Sequence, residues 1–444
     1  MFGPPWTIPL EFPMFQVTAY LLARIGWMDI DLSCRVAGLF YYYLSALFLY
    51  MFCRTVFRDK MVCWCIILFY LWSPFIILFS RNCMIDFTSV AWALGYMLLF
   101  RQWLQKTDSV LLAVLTLLTG CLAYLTKITT MAAYVIPIGC FIIKHFWIQG
   151  KNFRGVVTYL YNKKHIFLWT LCCVFVPVII GYLWVIYTDQ IKTASAYTTR
   201  FTSENLKQWN FGTWEQRMQF SHWWTITYRI ISQIVPYIFF LFPVGVFFGF
   251  RKYSEDGRIL FLTALAGVFL PIAVFFNLYW VHDYYLIAVS PLLAIVAGMG
   301  VHYMCFCCIP KRHLYLAVIA IFCAASLYKG SWLVRSNLSD HEPHIFYKQG
   351  KAIQKCTEPN ERVAAESYYW NPAVLYYAKR KGFMIDQPLD KQTCQFLKDS
   401  DFSIVACYKE HPLLFSVWKY RQLLETVGEF KIYRVSDNLP NGKM

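Results

Sequence analysis

A charged side chain at the edge of a long apolar run is costly to bury, so each one is a candidate for chemistry. Four such places stand out in this sequence. In Pro9-Leu10-Glu11-Phe12-Pro13 an acidic residue sits between prolines, which keep a helix from running through it. Glu11 either caps the amphipathic stretch that continues to Gly26 or serves as a catalytic carboxylate. In Arg81-Asn82-Cys83-Met84-Ile85-Asp86 the two charges either neutralise one another or divide the work. Asp86 would then be a base or metal ligand and Arg81 would hold an anionic head group. In Leu125-Thr126-Lys127 the lysine either snorkels to the interface or holds a lipid phosphate as a point charge. In Val281-His282-Asp283-Tyr284-Tyr285 the aromatics suit an interfacial belt, and the His-Asp pair beside them suits substrate contact. Trp209, Trp214, Trp223 and Trp224, in the 188–225 segment, could stack on sugar rings or anchor at the interface.

The elements that must position these groups are set by composition. The chain is 58% hydrophobic and 15% charged, against about 25% charged in soluble domains. Its formal net charge of +16 lies mostly in short loops between apolar runs, where it reads as a topology determinant and not as a nucleic-acid face. The 16 cysteines show no paired zinc spacing. Cys305, Cys307 and Cys308 read as small apolar or lipid-facing residues, with palmitoylation or metal binding the alternatives. Cys356, Cys394 and Cys407 would allow one disulfide if the tail is extracytoplasmic. No signal peptide opens the chain.

Crossing ~30 Å of hydrocarbon takes about 20 apolar residues as a helix. Candidate spans fall near 31–53, 61–80, 86–101, 109–126, 128–147, 166–187, 226–250, 259–277, 283–305 and 313–333. The expected architecture is therefore an all-α polytopic membrane protein of about ten spans over residues 1–333, followed by a small α/β domain over 334–444. Basic residues crowd alternate loops: Arg54, Arg58 and Lys60; Arg101 and Lys106; Lys144 to Lys164; Arg251, Lys252 and Arg258; Lys311 and Arg312. The positive-inside rule puts those loops in the cytoplasm, and the 188–225 loop and the tail outside. The amino terminus would then also lie outside, for which a further upstream helix is the simplest explanation. In the tail, strands are expected at Arg362–Ala365, Ser403–Cys407 and Glu429–Tyr433, with a helix from Asn371 through Tyr377 that ends near Gly382.

Taken in order, the Glu-Phe-Pro segment, Arg35 in the first span, the Arg81…Asp86 loop, Leu-Thr-Lys at 125–127 and His-Asp-Tyr-Tyr resemble the GT-C glycosyltransferases. Within these the likeness is to the bacterial dolichyl-phosphate-mannose-protein-mannosyltransferase-like and aminoarabinose-transferase-like group (glycosyltransferase families 39 and 83), over roughly residues 5–300. The resemblance implies transfer of a sugar, with inversion, from a polyprenyl-phosphate carrier to a lipid, glycan or protein acceptor on the outer face of a bacterial inner membrane. It implies catalytic roles for Asp86 and Glu11, donor-phosphate binding by Arg81 and Lys127, and substrate contact by His282, Asp283, Tyr284 and Tyr285. It leaves a divalent cation open as cofactor. The family's first catalytic Asp would lie upstream of the Glu-Phe-Pro segment, and Phe12 stands where aminoarabinose transferases carry Lys. The competing classes are a transporter or flippase of lipid-linked saccharides, which would show inverted repeats and mid-span charges, and a catalytically inactive homologue.

Overall fold

Prolines and short polar caps decide where the helices begin and break. The structure is a computed structural model that describes residues 9–194, 196–234, 250–304, 312–338, 345–366, 372–385, 391–409 and 412–437. The chain forms two compact units: residues 10–189 with 203–336, and residues 1–9 with 190–202 and 337–444.

The first unit is helical. In chain order it holds α1 (Met14–Ile25), α2 (Ile30–Val56), α3 (Lys60–Trp72), α4 (Pro74–Ser80), α5 (Asp86–Gln105), α6 (Val110–Thr126), α7 (Ile128–Met131), α8 (Val135–Gly150), α9 (Phe153–Asn162) and α10 (Lys164–Lys192). After these come α11 (Lys207–Phe211), α12 (Trp214–Met218), α13 (Phe220–Arg229), α14 (Glu255–Val274), α15 (Phe276–Val281), α16 (Ser290–His302) and α17 (Arg312–Leu338). Side chains of Asp29, Asp59, Ser109, Asn152 and Ser254 accept backbone N–H groups at the starts of α2, α3, α6, α9 and α14. These donors have no partner inside the helix, which is why such residues recur there. Glu11 is not among the caps, because α1 starts after Pro13 with no side-chain cap.

Among the described residues three helices, α2, α10 and α14, are long and apolar enough to cross a membrane by themselves. The pair α3 and α4 is long and apolar enough only together, bent by 58°. The bend follows from Pro74, which forces Ser73 into extended backbone and begins the new helix at its first turn. The expected run 61–80 is thus bent in its middle, the geometry of a broken span or a re-entrant loop. The run 128–147 also breaks, into α7 and α8 with a turn between, and 283–305 opens with a 3₁₀ turn at Asp283–Ile287. In contrast, the short run expected at 86–101 is a 20-residue helix. The run 226–250 passes from α13 into a π-helical turn at Ile230–Ile234, and 235–249 lies outside the described residues, as do Cys305, Cys307, Cys308 and Asn371. This is an integral membrane protein with a helical spanning unit.

Small residues allow the closest crossings. A Cβ on Gly298 of α16 would stand 2.5 Å from the Ile66 backbone of α3, and one on Gly38 of α2 would stand 2.7 Å from the Ser80 carbonyl. The second contact holds the 80–86 loop against α2, where Arg35 Nη1 donates to the Arg81 carbonyl at 3.3 Å.

The tail is a five-stranded sheet of β1 (Arg362–Glu366), β2 (Gly382–Ile385), β3 (Phe402–Cys407), β4 (Tyr420–Val427) and β5 (Phe430–Ser436), in the order β2-β1-β3-β5-β4. β1 pairs in parallel with β2 and β3, and β5 pairs antiparallel with β3 and β4. Its helices are α18 (Ile345–Cys356), α19 (Ala373–Ala378) and α20 (Lys391–Asp399). Separate apolar cores cover the two faces, one built on Ile353, Val374 and Ile404 and the other on Leu397, Phe402 and Val405. Residues Gly428 and Glu429 close the β4–β5 hairpin, with Gly428 at φ +61°. The disulfide that Cys356, Cys394 and Cys407 would allow is not formed among the described residues.

Candidate active site

Two helix ends and one helix break build the site. Asp86 is the first residue of α5, where the exposed N–H groups favour negative charge. Lys127 follows α6 in extended backbone (φ −164°, ψ 100°), in the break before α7. No proline causes this break. It falls in Thr126-Lys127-Ile128-Thr129-Thr130, where β-branched residues weaken the helix and the Thr126 hydroxyl donates back to the Leu122 carbonyl at 2.6 Å.

The break turns Lys127 inward. Its Nζ lies 2.7 Å from Asp86 Oδ1, and the two residues are 8% and 4% exposed. The lysine therefore does not snorkel, and Asp86 is neutralised by Lys127 and not by Arg81, five positions away. Ser89 locks the arrangement: its hydroxyl donates to the Asp86 carbonyl at 2.7 Å and bonds Thr130 of α7 at 2.9 Å. The lysine ammonium also stands 4.6 Å from the centre of the Tyr285 ring and 5.8 Å from that of Tyr284, in the geometry of cation–π attraction. Glu11 acts on Lys127 electrostatically after Asp86 and Tyr285. The Phe12 amide next to it donates to the Leu125 carbonyl at 3.1 Å, which ties the Glu-Phe-Pro segment to the end of α6. Glu11 makes no hydrogen bond or ion pair among the described residues.

From Tyr285 an aromatic wall continues outward. Tyr284 stacks on Tyr285 at 4.7 Å between centroids, His282 on Tyr284 at 5.1 Å, and Trp209 meets His282 edge-on at 5.9 Å. Asn277 fixes Trp209 by donating to its carbonyl at 2.8 Å. Burial pulls the His282 imidazole below its ordinary pKa; Asp283 opposes this and Arg229 adds to it. Arg229 also donates to the Tyr279 and Trp280 carbonyls at 3.2 and 2.8 Å, just before His282.

The structure thus brings Asp86, Lys127, Tyr284, Tyr285 and His282 into one run of contacts, with Asp283 and Glu11 coupled to it by charge. Arg81 stands apart: it is exposed, and its side chain bonds none of the cluster. Of the four tryptophans only Trp209 joins. Trp223 packs on Phe269, and Trp214 and Trp224 are exposed. Arg229 and the Ser89–Thr130 lock were not among the expected residues. The signal for Arg229 was present, since a lone arginine before an apolar run follows the same logic that singled out Lys127. Among the described residues no three ligand-type side chains converge as a metal would need.

Solved structures share this architecture. ArnT from Cupriavidus metallidurans, in the apo state, superposes with a TM-score of 0.63 at 12% identity, over 95% of this chain and 87% of that one. The same enzyme bound to undecaprenyl phosphate gives 0.62 at 11% identity over the same shares. The fold is that of the GT-C glycosyltransferases. The Archaeoglobus fulgidus oligosaccharyltransferase in its apo form agrees at a TM-score of 0.52 and 11% identity, over 91% of this chain and 63% of its own. No family model matches the GT-C-fold chain, and no curated protein does.

Proposed function

We propose that this protein is an integral-membrane glycosyltransferase that moves a sugar from a polyprenyl-phosphate carrier to an acceptor hydroxyl at the extracytoplasmic boundary. The observation that carries the reading is the buried Lys127 ammonium, set in a helix break beside a carboxylate and an aromatic wall. A cation removed from water and held by backbone geometry is a preformed partner for a phosphate. The wall from Tyr285 to Trp209 offers flat apolar faces for a sugar ring. The structure of ArnT with undecaprenyl phosphate supports the same donor class.

In this reading the acceptor oxygen attacks the anomeric carbon, and the carbon–oxygen bond to the phosphate breaks on the opposite side. The bonding electrons leave with the polyprenyl phosphate, and Lys127 stabilises the charge that grows there. A carboxylate takes the acceptor's proton as the new bond forms. Asp86 and Glu11 are the carboxylates on hand. Asp86 shares its lysine with the incoming phosphate, so donor binding loosens the ion pair and frees an oxygen of Asp86 to accept. Glu11, half-buried and without a hydrogen-bond or ion-pair partner among the described residues, can hold the acceptor. His282 and Asp283 contact the sugar, and Arg81 meets the head group at the rim.

The test is reconstitution of the full chain in vesicles with a panel of polyprenyl-phosphate sugars and a membrane extract as acceptor. Labelled sugar should leave the carrier for the extract with the wild-type chain and not with Lys127→Gln. Undiminished transfer by Lys127→Gln, or no transfer from any carrier, would refute the assignment.

A further inference from the structure

A cavity of about 920 Å³ opens where the carboxyl ends of α2, α5 and α16 meet the turn before α14. Its volume lies within the ~300–1,000 Å³ usual for small-ligand sites. It is remote from the candidate active site: Asp86 and Arg101 are about 22 Å apart along α5 at ~1.5 Å per residue.

The charges of its wall do not balance. Arg101 is ion-paired with Asp256, and Lys144 Nζ lies 2.7 Å from Asp256 Oδ1 and 3.1 Å from Glu255 Oε2. His302 Nε2 bonds Asp59 Oδ2 at 2.9 Å. Asp256 and Glu255 are therefore ion-paired and Asp59 is hydrogen-bonded, and the five lining Arg and Lys side chains outnumber the three carboxylates. Arg54, Arg58 and Lys252 remain as lining cations without a carboxylate partner among the described residues. Arg54 donates to the Arg58 and Phe57 carbonyls and also interacts with the Cys63 thiol, Lys252 lies 5.6 Å from the Tyr303 ring centre, and the buried Nε of Arg101 has no acceptor among the described residues. Cations at helix carboxyl ends are expected from the dipole alone. Here, however, they surround a hollow that Val56, Phe57 and Ile148 also line with apolar surface. An anionic group carrying an apolar tail satisfies both features. The same residues belong to the basic loops, the side where anionic phospholipids attract positive protein segments.

We propose that this cavity seats a phosphate group, and that its source is the headgroup of an anionic phospholipid. Arg58 and Lys252 grip the phosphate from the rim, with the Arg101–Asp256–Lys144 network as a rigid floor.

The experiment uses the full chain in non-ionic detergent and follows thermal unfolding against short-chain phosphatidylglycerol, short-chain phosphatidylcholine or inorganic phosphate. The comparison variant is Arg58→Gln/Lys252→Gln, at two exposed positions outside the ion network, with Arg58→Gln alone as a milder second. Phosphatidylglycerol should raise the unfolding temperature of the wild-type chain. The double variant should need at least a tenfold higher concentration for the same rise, and the single variant an intermediate one. Phosphatidylcholine should do nothing. An equal rise with inorganic phosphate keeps the phosphate seat and overturns the lipid source. Equal responses of wild type and variants, or no response to either anion, overturns the seat itself.

Discussion

Replacing Asp86 by Asn leaves the Lys127 ammonium buried without its ion-pair partner. The pair is separated by 2.7 Å and each side chain is less than one-tenth exposed. Removing one partner of such a pair costs about 3–5 kcal/mol, because the remaining charge stays desolvated. Tyr285 and Glu11 still face the ammonium, which puts the expected loss at the lower end, about 3 kcal/mol, or more than a hundredfold in the unfolding equilibrium. Removing both charges in Asp86→Asn/Lys127→Met should recover about 2 kcal/mol, since apolar replacement of a buried pair is often neutral. Denaturant titration of the purified protein in detergent, read as a double-mutant cycle, measures both numbers. The same double variant should fold yet transfer sugar about a hundredfold more slowly, or worse. An Asp86→Asn protein within 1 kcal/mol of wild type, or a double variant no more stable than Asp86→Asn, would show that the pair is not buried as described.

Burial lowers the His282 pKa below that of the unfolded chain, so the folded state binds this proton less readily. Its contribution is present above the unfolded value and is lost as pH falls through the folded one; His282→Gln should flatten the acid side of a stability–pH curve below about pH 6.5. Burial first, and then Glu425 at 2.9 Å, pushes the Cys356 thiol up to about 11. Maleimide should therefore label Cys356 slowly, and Glu425→Gln should speed labelling, as followed by mass spectrometry. A carboxyl-terminal reporter that fluoresces only in the cytoplasm should stay dark, and a bright one would reverse the topology.

Much of the helical unit was legible because hydrocarbon imposes a length. The apolar run at 31–53 became Ile30–Val56, and that at 109–126 became Val110–Thr126. The breaks were harder to read. Pro74 was visible in its run, but length alone favoured one continuous span over the bent pair. The break at Lys127 has no proline, and only a cluster of β-branched residues marks it. In the tail, three strands were evident as short, strand-like runs within polar sequence. β4 was not, because it is an edge strand with a mostly exposed, polar face. β2 was not either, because it has only four residues and starts at Gly382, where any Cβ would collide with the Val363 carbonyl of β1. Asp86, Lys127, His282, Tyr284 and Tyr285 were among the residues expected from the sequence, whereas Arg229, Ser89 and Thr130 were not. The pairing of Asp86 with Lys127 was not legible either, since the sequence offers Asp86 a neighbour five positions away and the fold supplies one forty-one positions away. Only the packing of α5 against the α6–α7 break decides between them.

The helix α10 runs 29 residues, about 43 Å at ~1.5 Å per residue, and keeps Leu168, Phe175, Ile179, Tyr182, Leu183 and Tyr187 open on its surface. Water would drive such a stripe onto the nearest similar surface, most readily that of another molecule. Extraction thus exchanges one sheath for another: surfactant must replace bilayer along this flank before the protein leaves it, and dilution below micelle formation should precipitate the chain before any helix has melted.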